Sequence, residues 1–317
     1  MKKILVTWWA WFIGSHLCRK LLLKWHEVIC LDNLFWSDRS NIYDLLGNPK
    51  FSFVLHDITQ PFFIQVDEIY NLACPNYPQH KQRNPVETIK TSVMWSVNML
   101  ELATRVKAKV LQASTSRIYG EGVSMPKEDY PWSVDTIDVN NSYSEGKRAA
   151  ETIFMSYHKE YGVDIKIARI FKTYWPNMKA MDGKLISYMI IKALKSENIV
   201  LYWDVNKKLW IQYVDDLIES LILLMKVNNW FIWPINLWSP TEITIKQIAE
   251  RILSLLPQSR SKIVFKDKSD DKTYYNEPPK ILLADITLAK QILNREPVMK
   301  LDDWLKKTID YFRAQDL

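Results

Sequence analysis

Apolar residues fall in short runs, each bounded by polar or turn-forming positions. The clearest are KILVT at 3–7, EVICLD at 27–32, FSFVLHD at 51–57, EIYNLA at 68–73, KVLQAST at 109–115 and DIKIARI at 164–170. Runs of this length and β-branched content predict buried strands. Between several of them the apolar positions take helical spacing, predicting helices over 14–24, 85–105 and 143–161. Strands alternating with amphipathic helices pack as a parallel sheet covered on both faces, so the expected fold is α/β with a doubly wound core. After Arg169 the alternation loosens into segments such as LISYMIIKALKSENIVLY and TEITIKQIAERILSLL, which predict a smaller, mixed α/β C-terminal lobe.

Composition narrows the class. Of 317 residues 48% are hydrophobic and 25% charged, ordinary for a globular chain. The net charge of +6 is spread along the sequence with no block of like charges, which argues against a nucleic-acid arm. It reads as a generic basic surface with at most a mild preference for anionic small molecules. Cys18, Cys30 and Cys74 have neither CxxC nor Cys/His ligand spacing and read as free thiols, with no metal expected. The start MKKILVT enters a strand at once, and no window offers about 18 apolar residues. A cytoplasmic protein with no membrane partner is expected.

One statistic is abnormal: 14 Trp against 7 Gly. Together they approach the share that glycine alone usually takes, about 7%. The tryptophans stand where a turn or helix end calls for glycine, as in LLKWHEVIC, KTYWPNM, LYWDVN, INLWSP and LDDWLKK, and avoid the predicted strand interiors and helix faces. This pattern follows if UGA encodes glycine in the source and was translated as tryptophan. A truly Trp-rich chain is the alternative.

The distinction decides the chemistry of the first turn. With glycine at 8, 9 and 11, TWWAWFIG becomes TGGAGFIG, placing glycines at 8, 11 and 14 between a strand and a helix. Such glycines permit a tight turn, close approach of a pyrophosphate and close helix–strand packing, while the helix N-terminus offers N–H groups to phosphate. Literal Trp8, Trp9 and Trp11 would fill that space. Asp32 ends the second strand 18 residues beyond Gly14, where a carboxylate accepts hydrogen bonds from an adenosine ribose and repels a 2′-phosphate, favouring NAD. Asp57 ends the third run and could meet the adenine amino group or simply be a turn residue.

NSYSEGKRAAE places Tyr143 and Lys147 four apart, on one helix face. A protonated lysine there favours phenolate, which can take a hydroxyl proton. Thr115, at the end of the run before it, can hydrogen-bond the same substrate oxygen. These features in this order, with YNLACPNYPQH, NPVETIKTSVMWSVNMLELA, EGKRAAET and IARIFKTYWPNM, make the chain resemble the extended short-chain dehydrogenase/reductase family, in particular its UDP-glucuronate decarboxylase branch.

The resemblance implies a Rossmann-type NAD-binding domain over 1–170, with a returning segment near 211–226, and a substrate lobe over 171–210 and 227–317. It implies NAD contacts from Trp8, Trp11, Phe12, Ile13, Gly14, Asp32, Asn33, Asp57, Ile58, Ala73, Tyr143 and Lys147. Nucleotide-sugar contacts are implied for His80, Arg117, Lys172, Lys184 and Tyr202, with homodimerisation through the helices near 86–105 and 143–160. It further implies a cycle in which Tyr143 deprotonates the sugar 4-hydroxyl as hydride leaves C4, the 4-keto acid loses CO2, and the hydride returns. Four positions depart from the family pattern: Arg117 replaces an acid, Lys172 an asparagine, and Leu209 and Leu282 stand where arginines are usual. They leave open a 4-epimerase or 4,6-dehydratase, and literal tryptophans leave open a non-catalytic binding protein.

Overall fold

KILVT forms β1 (Lys3–Thr7), followed by α1 (Phe12–Leu23), β2 (Glu27–Asp32), β3 (Phe51–Leu55) and β4 (Glu68–Asn71). Next come α2 (Pro85–Val106), β5 (Lys109–Thr115), α3 (Ser142–Tyr161) and β6 (Ile165–Ile170). The computed structural model describes all residues except 8–11, 35–38, 73–83, 121, 122, 124, 132, 133, 172, 175–184, 202–204, 207, 211, 240, 241, 267–283, 299 and 315–317. The remaining described elements are β7 (Thr173–Tyr174), α4 (Leu185–Leu194), β8 (Ile199–Leu201), β9 (Lys208–Trp210), β10 (Gln212–Tyr213), α5 (Val214–Lys226) and β11 (Ile235–Leu237). They continue through β12 (Glu242–Thr244), α6 (Ile245–Ser254), β13 (Ile263–Phe265), α7 (Thr287–Leu293) and α8 (Leu301–Arg313).

Seven strands form one parallel sheet in the order β11-β6-β5-β4-β1-β2-β3. Successive side chains point to opposite faces. Ile4 and Val6 therefore join the core under α1 and α5, with Leu17 and Leu221, while Leu5 joins the core under α2 and α3, with Met99 and Phe154. The strand order reverses between β1 and β4, and the crevice outside the carboxyl ends of strands at such a reversal is the usual ligand position in such sheets. After the loosened stretch the chain packs against the sheet again through α5 and joins it through β11, which pairs with β6. Among the described residues no helix is long and apolar enough to cross a membrane, and no group of His, Cys, Asp and Glu could hold a metal ion.

The described tryptophans occupy contrasting places. Trp25 lies just beyond α1 at φ 65°, with its N–H donating to Leu22 O (2.9 Å) and the next N–H, of His26, donating to Leu21 O (3.2 Å). This is a Schellman cap whose left-handed position favours glycine. The same conformation ends α3 at Gly162 and ends α2 at Lys107. The Trp25 side chain is 73% exposed, so little packing offsets its cost. Trp25→Gly should raise stability by roughly 1 kcal/mol, read as a higher denaturant midpoint at unchanged slope; a lower midpoint would show that the indole contributes packing. The expectation that tryptophan avoids helix faces is corrected for Trp95 in α2 and Trp304 in α8, both buried, and Trp238 also packs against Phe171.

Helices α2 and α3 approach closely at Gly146. A Cβ there would lie 2.8 Å from Ser92 Cβ and 2.9 Å from Ser92 Oγ, shorter than atoms tolerate. Gly146→Ala should cost about 1–3 kcal/mol by overpacking, measured by urea unfolding; a neutral result would mean that the two helices can separate at no cost.

Candidate active site

Three features converge at the carboxyl end of β5. Thr115 closes the strand, and its Oγ1 accepts the N–H of Arg117 (3.3 Å), starting a tight turn over Ser116–Tyr119. That turn points Arg117 outward, and its exposed side chain makes no ion pair among the described residues. Across from it, Tyr143 in the first turn of α3 is 6% exposed and Lys147, one turn on, is 2% exposed. Lys147 Nζ donates to the carbonyl of Ala113 at 2.7 Å, which docks the Tyr143–Lys147 face of α3 onto the strand end. The expected tyrosine, lysine and threonine therefore occupy one shielded corner, on rigid elements.

A buried polar ladder joins this corner to β1. Thr7 Oγ1 donates to Asn71 Oδ1 (2.9 Å), Asn71 Nδ2 to Gln112 Oε1 (2.8 Å), and Gln112 Nε2 to Ala113 O (3.1 Å). Ala113 O thus accepts from both Gln112 and Lys147, using both lone pairs. The ladder crosses β1, β4 and β5 beside the crevice.

The other side of the crevice carries carboxylates. Asp32 is buried at the end of β2, and its Oδ1 accepts the N–H of Leu34 (2.7 Å). Asp57 accepts from the N–H and Oγ1 of Thr59 (2.9 and 2.8 Å) and from Asn33 Nδ2 (3.2 Å). Partial burial pushes its carboxyl up, but these hydrogen bonds outweigh burial and hold it below the ordinary aspartate value. Ile58 is buried, with its carbonyl accepting from Asn98 Nδ2 (2.7 Å). Ile13 and Gly14 lie in the first turn of α1, and Phe12 opens that helix. Acids and a helix start, with no cation among Asp32, Asn33 and Asp57, suit a dinucleotide whose ribose bears a free 2′-hydroxyl. Trp8, Trp9, Trp11, Ala73, His80, Lys172, Lys184, Tyr202 and Leu282 lie outside the described residues. Leu209 is buried in β9, part of the apolar core.

Sequence reading missed a buried network beneath the corner. Glu151, one turn beyond Lys147 on α3, accepts from Ser114 Oγ and pairs bidentately with Arg169 (Nε–Oε1 3.0 Å, NH2–Oε2 2.8 Å). Arg169 also donates to Tyr119 Oη (2.8 Å) and Glu128 O (2.7 Å), and Tyr119 donates to Asn236 Oδ1 (2.7 Å). Burial pushes the Tyr119 phenol up to about 12, against the pull of Arg169. Burial alone would lower Arg169, but the Glu151 carboxylate more than offsets it. Glu128 is raised by burial despite accepting the Asn236 N–H (2.9 Å). Two signals were present in the sequence: Glu151 repeats the four-residue spacing of Tyr143 and Lys147, and Arg169 interrupts an apolar strand.

A doubly wound sheet with a Tyr–Lys pair beside its crevice defines a dinucleotide-dependent enzyme of the Rossmann class. Residues 4–230 match the NAD dependent epimerase/dehydratase family. The chain is 40% identical over 316 residues to UDP-glucuronic acid decarboxylase 1 of Arabidopsis thaliana, covering 99% of this chain and 71% of that protein. It is 41% identical over 315 residues to UDP-glucuronic acid decarboxylase 1 of Danio rerio, covering 99% and 73%. UDP-glucuronic acid 4-epimerase from Bacillus cereus, solved with UDP-glucuronic acid and NAD, superposes with a TM-score of 0.82 at 25% identity, covering 98% of this chain and 99% of that one. The chain belongs to the NAD dependent epimerase/dehydratase family, an enzyme family whose cofactor is NAD.

Proposed function

We propose that this protein decarboxylates UDP-glucuronate to UDP-xylose through a transient oxidation at the sugar C4, as the names of its full-length relatives suggest. The observation that carries the reading is the docking of Tyr143 and Lys147 against Ala113, beside Thr115. Bound NAD supplies a reversible hydride acceptor. Tyr143 takes and returns the 4-hydroxyl proton, Lys147 holds the phenolate and a cofactor ribose, and Thr115 orients the sugar oxygen. Arg117, exposed and without an ion pair among the described residues, grips the glucuronate carboxylate. His80, Lys172, Lys184 and Tyr202 are assigned to the nucleotide sugar, and Phe12, Ile13, Asn33, Asp57, Ile58 and Ala73 to NAD alongside Asp32 and Gly14.

The test is product analysis with UDP-glucuronate. UDP-xylose and CO2 are expected; turnover of neutral UDP- or dTDP-hexoses alone would transfer the assignment to a 4-epimerase or 4,6-dehydratase. The reading requires glycine at 8 and 11, and we infer that the source decodes these positions, and 25, as glycine. The left-handed cap at Trp25 supports this. Mass spectrometry of the tryptic peptides 4–19 and 25–39 from the source should find glycine at 8, 11 and 25; tryptophan there would favour a binding protein without catalysis.

We assign residues 1–170, about 211–226 and the sheet strand β11 (Ile235–Leu237) to the NAD domain, and the rest to a substrate lobe. The protein is proposed to act in the cytoplasm as a homodimer through the helices near 86–105 and 143–160. Val86, Ile89 and Met94 leave an exposed apolar strip on α2 that fits such an interface.

A further inference from the structure

We propose that Glu151 and Arg169 are positioning residues that hold the Tyr143–Lys147 face of α3 in register with β5 and transmit that register to the Ser116–Tyr119 turn carrying Arg117. The activity arm of this inference rests on the reading above. Three residues on α3 share one face at one-turn spacing: Tyr143, Lys147 and Glu151. The last two are tied to consecutive residues of β5, Lys147 to Ala113 O and Glu151 to Ser114 Oγ. Sliding α3 along the strand would break both links at once. Arg169 sits directly across from Ser114 in the β5–β6 register and reaches over to Tyr119, at the far end of the turn that Thr115 begins. The helix that bears the base and the turn that bears the exposed arginine thus meet on one guanidinium.

Charge is not what such a pair contributes most. A buried ion pair loses hydration for both partners, and neutral isosteres are often equally stable. Its planar, bidentate geometry fixes distance and angle, which a packed apolar pair leaves freer. Placement errors of about 1 Å at reacting groups cost about a hundredfold in rate.

The experiment compares Glu151→Gln with the double variant Glu151→Gln/Arg169→Met in the full-length chain. It reads melting temperature, NAD affinity by titration, kcat and KM for the nucleotide sugar that the wild type turns over, and amide exchange over 113–119. The single variant strands a buried guanidinium and should lower both melting temperature and kcat. The double variant should recover part of the melting temperature lost in the single variant, keep NAD affinity and KM within about twofold, yet retain a kcat loss of about tenfold to a hundredfold. Exchange at 113–119 should quicken without a matching change in β1 or β2. Wild-type kcat in the double variant would overturn the proposal, as would exchange that quickens uniformly. Tyr119→Phe provides a second arm if the double variant does not fold. It keeps the ring and severs only the link to the turn, so a several-fold lower kcat and faster exchange at 116–119 support the proposal, and unchanged values overturn it. A wild type without nucleotide-sugar turnover would refute the functional reading, while the exchange measurements would still decide this one.

Discussion

Tyr143→Phe, made in a chain carrying glycine at 8 and 11, should leave NAD bound and reduce turnover by about a thousandfold, within the range a positioned acid–base group supplies. Tyr143 is 6% exposed and lies one turn from Lys147, whose ammonium is itself fixed by Ala113 O, so its hydroxyl is held in a shielded place. Phenylalanine keeps the ring in the same packing, which confines the change to one oxygen. Cofactor titration and steady-state rates on the same preparation separate binding from chemistry. Turnover near wild type would remove the tyrosine from the reaction. Loss of NAD binding instead would assign it to cofactor retention alone.

Arg117→Glu should lower decarboxylation of UDP-glucuronate about a hundredfold, the scale of losing one charge-stabilising donor, and adding Leu282→Arg should recover part of the loss. The family pattern implies an acid at the first position and an arginine at the second; this chain holds a cation at the first and none at the second. Arg117 stands exposed on the turn after Thr115, where a guanidinium can meet a carboxylate or the enolate formed when CO2 departs. Glutamate there would set two carboxylates facing each other. Substrate analysis decides the matter: a rise in activity on UDP-glucuronate with Arg117→Glu would mean that the positive charge serves a different sugar.

Most of the sheet was legible because buried parallel strands are continuous apolar runs. KILVT, EVICLD and KVLQAST coincide with β1, β2 and β5 to the residue. FSFVLHD and EIYNLA run two residues past β3 and β4; beyond β3 those residues are His56 and Asp57, and the His56 N–H still donates to Asp32 O (3.1 Å). Strand β11 was not anticipated: INL is three residues long and gives no period to read. The Tyr143–Lys147 pair was legible from spacing alone, since both residues lie on one helix. The Glu151–Arg169 pair was not, because its partners are 18 residues apart in different elements and meet only once α3 packs on the sheet. Trp238 and Trp304 show the converse limit: a glycine-like sequence context does not prevent a large ring from finding a buried site.

The amide ladder from Thr7 to Ala113 has an evolutionary corollary. Each link has a sense, donor to acceptor, running one way from the hydroxyl of Thr7 through Asn71 and Gln112 to a carbonyl already shared with Lys147. Flipping either amide would set two oxygens or two NH2 groups face to face in a buried place, a cost of about 1–3 kcal/mol for each group left unsatisfied. Positions 7, 71 and 112 should therefore drift as a linked set among related chains, with a change at one tolerated only when its neighbours change in the complementary sense. In lineages that keep Lys147, the allowed combinations should be few, because the last acceptor in the row is backbone and cannot mutate.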